Sequence, residues 1–91
     1  MCKSDNQKLI DELFELITSI ENTNDCRDLF NDMCTVKEIE QMAQRIHAAK
    51  LLLKGNTYQQ VTEQCDISSA TLSRVSRCVQ YGNGYARFLK N

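Results

Sequence analysis

Leu9, Ile10, Leu13, Phe14, Leu16, Ile17 and Ile20 recur at three- and four-residue spacing. The pattern predicts an amphipathic helix from about Asp5 to Glu21. The polar run Asn22-Thr23-Asn24 breaks it, and Asn24 is the expected N-cap of a short helix carrying Leu29, Phe30 and Met33. Thr35 and Glu38 then stand at capping-box spacing before the longest apolar series, Val36, Ile39, Met42, Ala43, Ile46, Ala49 and Leu53. Gly55 is placed to end that helix in a left-handed conformation. Leu51-Leu52-Leu53 is apolar on more than one face, so the helix needs cover on several sides.

Thr57 and Gln60 repeat the capping spacing and open a short helix to about Cys65. Asp66-Ile67-Ser68 reads as a tight turn, with Asp66 able to tolerate left-handed backbone. Ser68 caps the next helix, from Ser69 to about Tyr81, striped by Leu72, Val75 and Val79. Gly82-Asn83-Gly84 breaks it, and Tyr85 to Leu89 adds a last turn or two. Two short helices across so tight a turn make a helix-turn-helix, with Val61 and Cys65 facing Leu72 and Val75 and Ile67 plugging the turn.

The start of the second of these helices carries the candidate chemistry. Its residues Ser69, Ala70, Thr71 and Ser73 are small or hydroxylated, so its backbone can approach a duplex closely. Ser69, Ala70 and Ser73 are expected nearest base edges, and Gln59, Arg77 and the backbone of Ser68 nearest phosphates. Arg74 and Arg77, three apart, add cationic contacts. Taken singly, each feature equally fits a capped, solvated helix. Cap, turn length, apolar stripe and basic flank together favour DNA.

Composition changes the picture at two points. The net charge of −1 argues against nucleic acid, but its distribution does not. Residues 1–44 hold four Lys/Arg against ten Asp/Glu, and residues 45–91 hold seven against two, so the halves carry −6 and +5. An acidic scaffold joined to a phosphate-facing module fits. The five cysteines, Cys2, Cys26, Cys34, Cys65 and Cys78, are odd in number and form no C-x-x-C pair. That disfavours a secreted disulfide framework, and a single histidine, His47, disfavours a metal site. The last four cysteines read as small apolar fillers. With 91 residues, no proline, no apolar run of membrane-spanning length and a polar segment from Cys2 to Lys8, the chain reads as one cytoplasmic domain without a signal peptide. Within it, residues 1–54 are the expected helical dimerisation scaffold, 55–81 the helix-turn-helix and 82–91 a short C-terminal helix or tail.

Thr57-Tyr58-Gln59-Gln60-Val61 followed by Ile67-Ser68-Ser69-Ala70-Thr71-Leu72-Ser73-Arg74-Val75 resembles the Trp repressor family. Gln44-Arg45-Ile46, Leu51-Leu52-Leu53-Lys54-Gly55 and the ending Tyr81-Gly82-Asn83-Gly84-Tyr85 extend the resemblance, the last toward its YerC/YecD branch. The resemblance implies a bacterial all-α protein of about six helices, an intertwined homodimer and operator binding by paired helix-turn-helix units. It also implies an effector pocket, in which two arginines sandwich an indole and a threonine fixes the amino acid. Arg45, Arg74 and Thr35 stand at the matching positions, but Val75 replaces the family's glycine and is expected to crowd a planar ligand.

The function expected is that of a DNA-binding transcriptional regulator, most readily a repressor, acting as a homodimer on double-stranded DNA. A version gated by a small-molecule corepressor, with tryptophan disfavoured, is a variant of it. The rival is a protein-interaction module of the same fold with little DNA affinity. No nucleophile–base pair, paired carboxylates or glycine-rich phosphate loop points to an enzyme, and no cofactor is implied.

Overall fold

The structure is a computed structural model that describes residues 6–89. Every regular element among them is an α-helix: α1 (Asn6–Thr18), α2 (Thr23–Met33), α3 (Val36–Leu53), α4 (Tyr58–Gln64), α5 (Ser69–Tyr81) and α6 (Tyr85–Leu89). They fall into two compact units divided between Thr35 and Val36.

In the first unit neither helix buries a residue. The expected start of α1 at Asp5 lies outside the described residues, and its end comes at Thr18 rather than Glu21. Hydroxyls explain the early stop. Thr18 Oγ1 donates to the Glu15 carbonyl and Ser19 Oγ to the Leu16 carbonyl, and Ile20 N–H reaches back only three residues, to Ile17. Side-chain hydroxyls thus share the last carbonyls of the helix with the backbone, whose Ser19 N–H still reaches Glu15. The cap of α2 is Asn22, not Asn24. Asn22 has extended backbone, accepts from the Asp25 N–H at 2.8 Å and donates to the Asp25 carboxylate at 2.9 Å. Asn24 sits inside the helix and accepts from Arg27 instead. A reciprocal pair on Asp25 satisfies two groups where Asn24 could satisfy one.

The second unit is built on α3, against which α4, α5 and α6 pack. Its core is Ala48, Ala49, Leu51, Val61, Cys65, Leu72 and Val75, with Leu52, Ile67, Val79, Tyr85 and Leu89 partly buried around it. The small side chains of Ala48 and Ala49, fully buried, let the shorter helices come close to α3. Glu38 in the first turn of α3 and Lys50 in its last complement the helix dipole. α3 ends in a Schellman motif: Gly55 at φ +96° donates to the Leu52 carbonyl and Asn56 to that of Leu51. The four described cysteines are free thiols; Cys65 is buried and Cys26, Cys34 and Cys78 are half-buried.

Candidate nucleic-acid interface

The helix-turn-helix is assembled by local capping. Thr57 Oγ1 accepts from the Gln60 N–H at 3.2 Å while Gln60 Oε1 accepts from the Thr57 N–H at 2.8 Å, the full capping box. Cys65 closes α4, its N–H donating to the Val61 carbonyl at 2.9 Å. Burial pushes the Cys65 thiol above its ordinary pKa. Ser68 opens α5: its Oγ accepts from the Thr71 N–H at 3.1 Å and donates to Thr71 Oγ1 at 3.0 Å.

Asp66 departs from expectation. No non-glycine residue among those described has positive φ, so Asp66 is not left-handed. The turn from Cys65 to Ser68 carries no helical turn of its own, and Cys65 and Ser68 at its two ends are extended. With extended backbone at both ends and no positive φ between them, neither glycine nor a left-handed substitute is needed there.

α5 has two distinct faces. Leu72, Val75 and Ser76 are buried, with Val79 half-buried. Ser69, Ala70, Ser73, Arg74 and Arg77 are exposed and fall at i, i+1, i+4, i+5 and i+8, which is one continuous stripe. Thr71 is half-buried at its edge, and Gln59 and Ser68 are exposed. The structure therefore brings the short residues and both arginines to one face beginning at a capped helix N-terminus, where free N–H groups favour an anion.

Three of the four expected pocket residues also come together. Arg45, Arg74 and Val75 line one cavity of about 480 Å³ with Thr71, Cys78 and Tyr85. Thr35 belongs to the other compact unit. Val75 is only 2 % exposed and is a core residue as well as part of that cavity wall. Tyr85 was not legible as a pocket residue. It reaches the cavity because α6 folds back on α3 and α5, a long-range fact that no local pattern carries. Gln44 was likewise missed; its Oε1 accepts from the Asp66 N–H at 3.1 Å.

A sequence profile of the Trp repressor protein family matches residues 8–91. An uncharacterised protein, YerC of Bacillus subtilis strain 168, is 43% identical over 76 residues, covering 84% of this chain and 73% of YerC. The crystal structure of a Staphylococcus aureus protein provisionally named a Trp repressor superposes with a TM-score of 0.84 at 41% identity, covering 90% of this chain and 83% of that one. The crystal structure of a TrpR-like protein from Eubacterium eligens gives a TM-score of 0.82 at 40% identity, covering 88% and 84%.

Proposed function

Because this chain belongs to the Trp repressor family, we propose that it is a sequence-specific DNA-binding transcriptional regulator, a repressor in the simplest case, working as a cytoplasmic homodimer. The observation that carries the reading is the exposed stripe Ser69, Ala70, Ser73, Arg74 and Arg77 on α5, starting at a capped N-terminus. In this docking mode the N-terminal residues of the recognition helix read the major groove. Ser69, Ala70 and Ser73 are too short to span far, so bridging water and DNA shape carry part of the specificity. Gln59, Arg77 and the Ser68 backbone hold phosphates. No helix among the described residues is long and apolar enough to cross a membrane.

The homodimer is supported by unburied apolar surface. Leu9, Ile10, Leu13, Phe14 and Leu16 of α1, Met33 of α2 and Val36 and Ile46 of α3 are all exposed. Patches of this kind are rare on monomers. On this reading residues 1–54 form the dimerisation scaffold, 55–81 the DNA-reading unit and 82–91 a short C-terminal helix or tail. Selecting bound duplexes from a random pool tests the whole reading. A two-fold-related pair of half-sites is the expected product, and a pool that stays random after several rounds overturns it.

Tryptophan is not the effector on this reading. Two methyl groups of Val75 stand at the wall of the Arg45–Arg74 cavity where the family has hydrogen, and overfilling a packed site costs about 1–3 kcal/mol. Calorimetric titration of L-tryptophan should show no saturable micromolar binding. The Val75→Gly variant should gain it if Arg45, Arg74 and Thr35 retain the family's roles.

A further inference from the structure

Two amide side chains tie the helix-turn-helix to α3. Ahead of α4, Asn56 Nδ2 donates to the Leu51 carbonyl at 2.9 Å. Behind α4, the Asp66 N–H donates to Gln44 Oε1 across 22 residues of chain. The second tie lies where packing is thin. The core that holds α4 and α5 is built on Ala48, Ala49 and Leu51, further along α3. Beside Gln44 there is instead an open polar cleft of about 500 Å³, bordered by Gln44, Asp66, Ser68 and Thr71. The turn has no left-handed residue to lock its shape. The turn is held at its start by the buried Cys65, and beyond it by the half-buried Ile67 side chain and the Gln44 bond. α5 begins at Ser69, three residues after Asp66, so the placement of the turn sets where the start of α5 points.

We propose that Gln44 is a positioning residue: by holding the Asp66 N–H it fixes the tilt at which Ser69, Ala70 and Ser73 meet base edges. This rests on the DNA-binding reading. Gln44 touches no base in this account and acts through the turn. Losing the bond should leave phosphate contacts, which tolerate small rotations, and degrade base readout, which does not.

The test compares affinity for the selected duplex with affinity for a mixed-sequence duplex, using the full chain. Gln44→Met keeps length and helix propensity but removes the acceptor. It should lower the ratio of the two affinities about tenfold, the order expected for one lost hydrogen bond. Its salt slope on mixed-sequence DNA and its assembly mass should be unchanged, and the Asp66 amide should exchange faster with solvent. Gln44→Glu keeps an acceptor and should restore both the ratio and the slow amide, while its added charge weakens both duplexes alike. Gln44→Asn, one methylene short, provides the same loss should the Met variant misfold. A wild-type ratio in the Met or Asn variant, or an Asp66 amide indifferent to all three changes, overturns the proposal. A wild-type chain that fails to discriminate between the duplexes overturns the DNA reading instead, and this assignment with it.

Discussion

Helices α1 and α5 are each 13 residues long and each carry an apolar stripe, yet α5 buries Leu72, Val75 and Ser76 while α1 buries nothing. Phe14 stays 59 % exposed and Leu72 only 1 %. Periodicity names a face and does not name what covers it. For α5 the cover is α3 of the same chain. For α1, on the proposed reading, it is a second copy.

The largest expected effect breaks that contrast. Phe14→Asp should be nearly free in a monomer, where exposed substitutions stay within about 0.5 kcal/mol. In the proposed dimer it buries an unpaired charge, a loss of about 3 kcal/mol or more. Sedimentation at micromolar protein should show the variant falling to monomer mass. The wild type should instead sediment as a dimer whose melting temperature rises with concentration. A wild type that is monomeric, or that melts independently of concentration, removes the contrast altogether.

Leu72→Ala comes next, at about 2–5 kcal/mol of unfolding free energy, from lost burial and the cavity left behind. Urea unfolding at fixed protein concentration measures it. A loss under about 1 kcal/mol would mean the core of the second unit is less closed than its burial indicates.

Arg77→Ala sharpens the comparison by function. It should weaken binding to all duplexes and flatten the salt slope by about one unit, leaving assembly mass unchanged. Fluorescence anisotropy at several salt concentrations reads both. An intact slope would place Arg77 away from phosphate.

The smallest effect concerns Cys65. Its thiol pKa is raised by burial, so the folded state holds its proton more tightly than the unfolded chain. The resulting stability is fully present below the ordinary thiol pKa and is lost as pH climbs from there through the raised native value. Unfolding free energy should therefore fall slightly with alkaline pH, and the Cys65→Ala variant should lack that part of the slope.

What the sequence could and could not disclose follows the same division. The ends of α3, α4, α5 and α6, the Thr57–Gln60 box, the Ser68 cap and the Gly55 terminus were legible because each depends on residues within four of one another. That Val61, Cys65, Leu72 and Val75 share one core was legible because a short turn leaves little choice. Local reasoning failed where two local solutions competed, as with Asn22 against Asn24. It also failed at Asp66, whose φ is not positive. The arrival of Tyr85 at the Arg45–Arg74 cavity and the reach of Gln44 to Asp66 required the tertiary path, which no window of sequence contains. The exposed stripe of α5 was legible as residue types, and its continuity on one face came from the helix register.

Gly82 and Gly84 differ sharply in how much change each could absorb. A Cβ at Gly82 would lie 2.6 Å from the Cys78 carbonyl oxygen, which already accepts the Gly82 N–H, whereas a Cβ at Gly84 would meet nothing within 4 Å. Any side chain at position 82 would therefore press on the last turn of α5. That movement would reach α6, whose Tyr85 and Leu89 lean on the core. In a saturation library position 82 would be a near-invariant hinge pin and position 84 an open site two residues away. The end of α5 is in this sense set where only a hydrogen atom fits beside the Cys78 carbonyl.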